Sequence, residues 1–202
     1  MTQLVIIGAG GHARVLVEAL GSRRSEIIGF VTSVPESASG VMTGIPRLGD
    51  DRDLLARGSG GLSLINGIGS IGDPQRHRTV FEDFAKAGFA FATIVHPTAI
   101  IASDVVLGTG AQIMAGCVLQ PGVRVGSNAI VNTGAIIDHD SVIGDHAHIA
   151  PGATLSGHVD VGSSSHVGTG AAIIQGIRIG AGALIAAGAV VAADVASGSS
   201  VA

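Results

Sequence analysis

The side chains with the clearest capacity for chemistry are those of His139 and the two aspartates that flank it, Asp138 and Asp140. A carboxylate next to an imidazole fixes its tautomer and stabilises the imidazolium that forms when the ring accepts a proton. The sequence therefore predicts His139 as a general base and Asp140 as the group that orients it. An exposed histidine between two aspartates could equally be a solvated corner of the chain, and the residues alone leave both interpretations open.

The predicted base lies in residues 96–202, which repeat a six-residue pattern. Every sixth residue from Ile101 to Val191 is Ile, Leu or Val, which makes sixteen positions in one unbroken frame. This period fits neither a helix, whose apolar residues recur about every 3.6 positions, nor an ordinary strand, whose period is about two. It is typical of a parallel β-helix of hexapeptide repeats, each with one short strand and one turn.

The repeat also predicts where side chains point. If three hexads form one triangular coil, the sixteen hexads form a little over five coils, and residues 18 apart are neighbours on adjacent coils. The aliphatic residue at each hexad start points into the prism, and glycines such as Gly126 and Gly144 relieve its tight corners. His139 comes two positions after the inward Ile137, so its side chain should point outward.

The composition agrees with a thin β-helix and excludes several classes of protein. The chain of 202 residues is 47% hydrophobic but only 2% aromatic, with 32 glycines, so its apolar residues are mostly small and aliphatic. The net charge of −4, without a basic stripe, argues against nucleic-acid binding. The single cysteine, Cys117, is expected to be a buried packing residue. The short apolar run at the N-terminus fits neither a signal peptide nor a membrane span, so we expect a cytoplasmic protein without a membrane partner.

Residues 1–95 predict a small Rossmann-like α/β domain ahead of the repeat. Strands alternate with helices over this stretch, which is typical of a parallel sheet built from βαβ units. The predicted strands are 3–7, 27–31, 62–66 and 91–95, and the predicted helices are about 11–20, 50–57 and 74–87. The pair His96-Pro97 marks the end of the domain, because proline favours an extended residue before it.

Glycines at the first strand-to-helix junction predict a phosphate site. Gly8, Gly10 and Gly11 lie where main-chain N–H groups and the start of a helix can hold a phosphate. His12 could donate to the same phosphate or cap the helix. A tight turn that only packs the helix on the strand is the alternative, because Ala13 stands at the third glycine position of the dinucleotide-binding motif.

Two further segments bear on ligand binding in this domain. The loop after the third strand begins with Asn66 and Gly67 and lies at the carboxyl end of the sheet, where open α/β sheets bind ligands. Thr32 and Ser33 follow the second strand, so that strand supplies no acidic residue for a ribose hydroxyl. Residues 76–78 carry three basic side chains, which we interpret as an exposed helix face rather than as a phosphate site.

Several segments together resemble a known family. The hexapeptide run resembles the left-handed β-helix of hexapeptide-repeat acyltransferases. With LVIIGAGGHARVLVEAL at the N-terminus, IVHPTAII at the junction and AIIDHDSVIGDHAHIAPGATLSG in the repeat, the chain is similar to sugar-nucleotide N-acetyltransferases and sialic acid O-acetyltransferases, typified by bacillosamine and perosamine N-acetyltransferases. The resemblance implies a Rossmann-like α/β domain that binds a nucleotide sugar, residues 1–95, followed by a left-handed parallel β-helix acyltransferase domain, residues 96–202.

The resemblance also implies an activity. The first hypothesis that it supports is transfer of an acetyl group from acetyl-CoA to the 4-amino group of a nucleotide-linked 4-amino-4,6-dideoxy sugar, with GDP-perosamine as a good candidate. The family places its catalytic base in a context that matches His139-Asp140-Ser141-Val142-Ile143-Gly144. A homotrimer with active sites at subunit interfaces is implied, and no metal is expected.

The resemblance assigns residues to both substrates. The nucleotide-linked sugar is expected at the glycine turn and the loop after the third strand, and at Asn132, for which a turn-forming role is the alternative. The residues expected to bind the sugar nucleotide are Gly8, Gly10, Gly11, His12, Asn66, Gly67 and Asn132. The residues expected to line the acetyl-CoA groove are His148, Gly157, Thr169 and Ala187. A backbone N–H near Gly157 could stabilise the developing oxyanion.

Two other functions remain open from the sequence. An O-acetyltransferase acting on sialic acid or a related sugar would not need a nucleotide pocket. A zinc protein similar to γ-class carbonic anhydrases would use histidines on the β-helix, and His148 and His166 are 18 residues apart, so they should stack on adjacent coils beside His139.

Overall fold

The computed structural model describes residues 3–34, 42–70 and 74–202. The chain divides into two compact units, Met1–Ala92 and Thr93–Ala202. Among the described residues, no helix has the length and apolar content that crossing a bilayer requires.

The first unit is an α/β fold around a parallel sheet. Its strands are β1 (Leu4–Ile7), β2 (Ile27–Val31), β3 (Ser63–Asn66) and β4 (Ala90–Phe91), and its helices are α1 (Gly11–Ala19), a short 3₁₀ helix (Gly21–Glu26), α2 (Asp51–Arg57) and α3 (Pro74–Lys86). The sheet order is β2-β1-β3-β4, with every pairing parallel. β1 is buried along its whole length, as expected for a central strand covered on both faces. The predicted α/β fold is confirmed.

Local sequence signals explain where the helices of this unit begin. At α2, the side chain of Asp50 accepts hydrogen bonds from the N–H groups of Arg52 and Asp53, and the carboxylate of Asp53 accepts one from the N–H of Asp50. This reciprocal capping box satisfies N–H groups that a helix start otherwise leaves without partners. At α1, the N-cap residue is Gly10, which offers no side chain for capping.

The second unit is a parallel β-helix of about six turns, with strands of two residues each on three faces. The first face has Val106–Leu107, Arg124–Val125, Val142–Ile143, Asp160–Val161 and Arg178–Ile179; the second has Ile94–Val95, Gln112–Ile113, Ile130–Val131, His148–Ile149, His166–Val167, Leu184–Ile185 and Ser200–Val201; the third has Ile100–Ile101, Val118–Leu119, Ile136–Ile137, Thr154–Leu155, Ala172–Ile173 and Val190–Val191. The hexapeptide β-helix predicted from the repeat is confirmed.

Pairing between coils follows the predicted spacing until the last coil. Residues 18 apart pair side by side, as Val125 does with Ile143. In the last coil, Ile185 pairs with Val201, only 16 positions on, so this coil is two residues shorter. The predicted frame therefore ends at Val191. Strand 94–95, which continues the frame one hexad before Ile101, and strand 200–201, beyond its end, raise the solenoid from the predicted little over five coils to about six.

One predicted strand proves to be two. The sequence predicted a single strand over 91–95, but Phe91 pairs in the α/β sheet with Leu64, whereas Ile94 pairs in the β-helix with Gln112. The N–H of Ala92 still donates to the first sheet, at the carbonyl of Leu64. The apolar run is continuous in sequence, yet its two halves satisfy their backbone groups in different sheets.

Glycines at the corners serve two different needs. Gly126 and Gly144 bring neighbouring coils together, because a Cβ on Gly126 would lie 2.5 Å from the backbone nitrogen of Asp145. Other corner residues adopt the left-handed conformation that glycine tolerates best. Five of these are not glycine, with φ between 55° and 60°: Asn128, Asp140, His146, His158 and Ser164.

Cys117 is buried inside the prism, as expected for a packing residue. Its thiol donates to the carbonyl of Asn132 at 3.0 Å. Burial raises the pKa of the thiol, which keeps it protonated and poorly nucleophilic.

Candidate active site

His139 and Asp140 lie together at the corner that follows strand Ile136–Ile137. Nδ1 of His139 is 2.9 Å from Oδ2 of Asp140, and both side chains are about half exposed. The backbone N–H of His139 donates to the carboxylate of Asp138 at 2.8 Å. With Nδ1 facing a carboxylate, the ring presents Nε2 for proton exchange. The two residues predicted as base and orienting group therefore have the contact that those roles require.

The electrostatics of this corner favour a protonated imidazole. The hydrogen bond to Asp140 is the main cause that raises the pKa of His139 above its ordinary value of 6.5, and the negative charges of Asp138 and Asp140 add to it. The slight desolvation of the ring acts in the opposite direction. A base whose pKa is raised in this way accepts a proton more readily near neutral pH.

Glycines on the neighbouring coils leave room for this pair. A Cβ on Gly157 would lie 2.5 Å from Nε2 of His139, and a Cβ on Gly122 would lie 2.5 Å from Oδ1 of Asp140. The scaffold holds the corner in place, because the N–H of Asp140 donates to the carbonyl of Pro121 at 3.0 Å. Gly157, which was predicted to line the acetyl-CoA groove, therefore lies directly against the ring of the predicted base.

A third ionisable side chain, His158, for which no role was predicted from the sequence, adjoins the pair. Its ring meets that of His139 edge to face, with centroids 5.1 Å apart. Its Nε2 lies 3.7 Å from Oδ2 of Asp140. The signal was present in the sequence, because Asp140 and His158 are 18 residues apart and occupy the same corner position on adjacent coils.

His148 and His166 form a second pair, away from the corner, on the second face of the β-helix. Their strands pair directly, and the two rings meet edge to face with centroids 4.9 Å apart. His148 is buried, and the side-chain amide of Asn132 lies 3.1 Å from its Nε2. Burial lowers the pKa of His166. The structure thus brings together Asn132 and His148, which were predicted to contact different substrates.

Thr169 and Ala187 occupy another corner of the β-helix. They are stacked on adjacent coils, and the carbonyl of Thr169 accepts a hydrogen bond from the N–H of Gly188 at 2.8 Å. Both residues are exposed. Their place in an acetyl-CoA groove stays a prediction.

In the α/β unit, the predicted phosphate-binding glycines form an open turn. Gly8 has a φ of +92° and donates its N–H to the carbonyl of Val31 at 2.8 Å. Gly10 and Gly11 are exposed, and a Cβ on either would meet no atom within 4 Å. α1 begins here without a side-chain cap and without an acidic residue in its first turn. Such a helix start can receive an anion.

The loop after β3 packs against this turn. The N–H of Gly67 donates to the carbonyl of Ile7 at 2.9 Å, and a Cβ on Gly67 would lie 2.7 Å from that same oxygen. A Cβ on Gly8 would lie 2.8 Å from Cδ1 of Ile68. Glycine is thus needed on both loops for this approach, and the two predicted sugar-nucleotide segments are neighbours.

The side chains of Asn66 and His77 fix the loop after β3 through hydrogen bonds. Asn66 is buried; its amide donates to the carbonyl of His77 at 2.8 Å, and its Oδ1 accepts from the N–H of Ile68 at 3.2 Å. His77 is also buried, with Nδ1 2.6 Å from the carbonyl oxygen of Ile68. The interpretation of residues 76–78 as an exposed face is therefore wrong for His77. The helical period explains this, because His77 shares its side of α3 with the buried Phe84, seven residues on.

The histidines group differently from the predicted zinc arrangement. Among the described residues, one ligand atom each from His139, Asp140 and His158 lies within 4.8 Å of the others. The sequence had combined His139 with His148 and His166 instead. In the structure, His139 pairs with His158 at the corner, and His148 pairs with His166 on the second face.

Comparison with known proteins agrees with both units. Residues 3–84 match the family described as PglD N-terminal domain, and residues 122–157 match the bacterial transferase hexapeptide family. The fold is similar to a variant of perosamine N-acetyltransferase from Caulobacter crescentus in complex with CoA and GDP-perosamine, with 34% identity, a TM-score of 0.88, and coverage of 98% of this chain and 91% of that one. The chain belongs to the hexapeptide-repeat sugar-nucleotide acetyltransferase family. The predicted family and acetyltransferase activity are therefore confirmed.

Other solved members of the family give the same result. The acetyltransferase domain of PglB from Neisseria gonorrhoeae, in complex with acetyl coenzyme A, has 32% identity, a TM-score of 0.87, and coverage of 98% of this chain and 94% of that one. WeeI from Acinetobacter baumannii, at 21% identity and a TM-score of 0.75, covers 99% of this chain and 96% of its own and supports the fold alone. No curated protein sequence gave a significant match. The perosamine N-acetyltransferase structure contains CoA and the PglB domain structure contains acetyl-CoA, in agreement with the predicted co-substrate.

Proposed function

We propose that this acetyltransferase transfers an acetyl group from acetyl-CoA to the 4-amino group of a nucleotide-linked 4-amino-4,6-dideoxy sugar, with GDP-perosamine as the first candidate and His139 as the general base. The observation that carries the proposal is the 2.9 Å contact between Nδ1 of His139 and Oδ2 of Asp140 at an exposed corner. The relatives' complexes with CoA and GDP-perosamine support this choice of substrates.

The chemistry follows from the needs of acyl transfer. Attack of a neutral amine on the thioester carbonyl forms a C–N bond and leaves a proton on nitrogen that must be removed. Nε2 of His139 accepts that proton, and Asp140 stabilises the resulting imidazolium through Nδ1. Collapse of the intermediate breaks the C–S bond, and the proton on Nε2 can pass to the departing sulfur. A backbone N–H near Gly157, beside the ring, is proposed to stabilise the oxyanion.

Residues 1–95 are proposed to hold the nucleotide. The uncapped start of α1 at Gly10 and Gly11, with His12 in the first turn, suits a diphosphate. The loop at Gly67 borders the same turn, and Asn66 acts by holding that loop. Asn132 is proposed to contact the sugar.

Residues 96–202 are proposed to hold acetyl-CoA. His148, Gly157, Thr169 and Ala187 are the proposed contacts, with the pantetheine arm bonded mainly to main-chain groups. The proposed assembly is a homotrimer in the cytoplasm, in which each active site lies at a subunit interface.

A substrate panel tests this proposal. GDP-, UDP- and dTDP-linked 4-amino sugars, each with its 4-hydroxy counterpart, and free sialic acid are incubated with acetyl-CoA, and the acetylated product is identified by mass spectrometry. We expect a hydroxylamine-resistant amide on a nucleotide-linked amine, and protection of the protein from thermal unfolding by the matching nucleotide. A hydroxylamine-labile ester on sialic acid, without amide formation on any nucleotide sugar, would reject the proposal in favour of the O-acetyltransferase.

A further inference from the structure

We propose that His139, Asp140 and His158 form an inhibitory binding site for a divalent transition-metal ion such as Zn²⁺. One ligand atom from each lies within 4.8 Å of the other two. Two imidazoles and a carboxylate are a donor set that suits zinc. Metal binding stands on the geometry of the corner, whereas inhibition rests on the proposed function, in which His139 is the base.

The three side chains are close to the spacing that a tetrahedral ion requires. Bonds of about 2.0–2.2 Å to zinc place two ligand atoms roughly 3.3–3.6 Å apart. Nδ1 of His139 lies 2.9 Å from Oδ2 of Asp140, and Nε2 of His158 lies 3.7 Å from the same oxygen. These two separations lie within roughly 0.7 Å of the tetrahedral spacing, and the third, between the two imidazole nitrogens, is at most 4.8 Å. Side-chain rotations that bring the two rings closer complete the site.

The corner is both accessible and rigid. The side chains of His139, Asp140 and His158 are 45%, 54% and 57% exposed, so an ion can enter from solvent. Backbone bonds fix the two coils that supply them, since the N–H of His158 donates to the carbonyl of His139 at 2.9 Å. Ligands on adjacent coils of one solenoid are held in register without any change of fold.

The residue type at position 158 is not the one that the backbone favours. The same corner position on successive coils is occupied by Gly122, Asp140, His158 and Gly176, all with φ between 56° and 78°. Glycine adopts this left-handed conformation without strain, whereas aspartate and histidine adopt it at a cost, although more readily than most other side chains do. Strained positions concentrate at ligand sites. His158 thus supplies a third ligand at a position where glycine would fold more easily.

A metal ion at this site would prevent His139 from acting as a base, whichever of its ring nitrogens coordinates the ion. Coordination through Nδ1 replaces the hydrogen bond with which Asp140 orients the ring of His139. Coordination through Nε2 occupies the lone pair that accepts the proton from the substrate amine. In both cases the ring of His139 can no longer accept a proton from the substrate amine.

Direct binding to the full-length, chelator-treated protein tests the site without any need for activity. Zn²⁺ is titrated by calorimetry, and Co²⁺ is added as a spectroscopic probe of tetrahedral coordination. We expect one ion per chain, and a loss of affinity of at least about tenfold in His158→Gly, since even supporting groups of metal sites are worth roughly 10–100-fold. This variant should stay folded with a melting temperature no lower than that of the wild type, because glycine suits the backbone there. His166→Ala, which alters the other histidine pair, is the matched control and should bind with unchanged affinity.

Two results would overturn the metal site: no saturable binding by the wild type, or equal affinity in His158→Gly and the wild type. A loss of binding in His166→Ala would place the ion on the second face instead.

Inhibition is measured from the acetylated sugar rather than from the CoA thiol, which itself binds zinc. Initial rates of the wild type should fall with Zn²⁺ and return with chelator, and those of His158→Gly should resist it. Binding at the corner with an unchanged rate would reject the role of His139 as the base while leaving the metal site intact. Failure to bind zinc in an enzyme that loses activity on His139→Asn would reject the metal site alone.

Discussion

The β-helix carries two histidine pairs that are nearly alike in ring geometry and opposite in electrostatics. His139 and His158 meet edge to face at 5.1 Å and 88°, and His148 and His166 do so at 4.9 Å and 84°. At the corner, the hydrogen bond that the ring donates to the carboxylate of Asp140 raises the pKa of His139. On the second face, burial lowers the pKa of His166. Contact between imidazoles therefore does not decide their chemistry; the neighbouring carboxylate and the solvent do.

This difference explains why only one pair suits proton transfer. His139 is exposed, and its partner carboxylate stabilises the charged form that a base must adopt. His148 is buried against the amide of Asn132, which stabilises no positive charge. The second pair is better suited to packing and to neutral hydrogen bonds.

Replacement of one ring in each pair should separate them most clearly. His139→Asn should lower kcat by about 10²–10⁴-fold, the usual contribution of a general base. His166→Asn, the matched change in the other pair, should have a far smaller effect. Turnover is measured as acetylated sugar under saturating substrates, with folding checked by circular dichroism. Equal losses in both variants would contradict the distinction between the pairs.

Displacement of the base without its removal should have the next largest effect. In Gly157→Ala, the new methyl group would lie 2.5 Å from Nε2 of His139 and must push the ring aside. Because a misplacement of about 1 Å can cost about 10²-fold, we expect kcat to fall by roughly that factor.

A double-mutant cycle distinguishes this mechanism from general disruption. Added to His139→Asn, the Gly157→Ala change should cause no further loss, because the ring that it displaces is already gone. Independent losses that multiply would show that Gly157 acts through another group. The melting temperature of each variant reports whether the coil itself is disturbed.

Removal of the orienting carboxylate should change the pH dependence more than the maximal rate. Asp140 raises the pKa of His139, and the base must be neutral to act, so activity falls as the pH drops through that raised pKa. Asp140→Asn should lower the pKa and move the acid limb of kcat/KM to lower pH, with a smaller loss of kcat than removal of the base itself causes. Asp138→Asn should move it less, since Asp138 is a lesser cause of the shift. An acid limb that stays in place in Asp140→Asn would show that another group sets it.

The smallest expected effect is on stability, where the two pairs should have opposite signs. The raised pKa of His139 stabilises the folded state below the unfolded pKa, and this contribution is lost as the pH rises through the folded pKa. The lowered pKa of His166 means that the unfolded state binds the proton first, so stability falls as the pH drops below about 6.5. Between about pH 8 and pH 5.5, the melting temperature of His139→Asn should therefore decline relative to the wild type, and that of His166→Asn should improve. Parallel trends would contradict the opposite shifts.

Most of the solenoid could be predicted from sequence because its pattern is local. Each hexad start from Ile101 to Val191 can be identified without reference to distant residues, and the frame assigns every strand between them. The last coil could not be predicted in this way. Its two-residue shortening moves the inward position to Val195, and the pairings of Ile179 with Val195 and of Ile185 with Val201 reveal it.

The candidate site was predicted where side chains are adjacent in sequence, and missed where the fold brings them together. The contact of His139 with Asp140 follows from their adjacency. His158 is found only when the spacing of 18 is applied to polar corner residues as well as to aliphatic ones. The burial of His77 follows from the helical phase of α3, but the hydrogen bonds of Asn66 depend on side-chain rotamers that no sequence pattern contains.

The 18-residue repeat places equivalent corner positions at a fixed distance from one another along the axis of the solenoid. Each coil advances by one interstrand spacing, about 4.8 Å, and presents the same corner with the same backbone direction. If a histidine and its partner aspartate were moved 18 positions along the chain, with glycines at the flanking corner positions, their side chains would keep the same orientation. Only their position along the axis of the solenoid would change. The distance between the reacting nitrogen and any ligand held elsewhere on the protein is thus adjustable in fixed steps, which gives designers a way to match acceptors of different length.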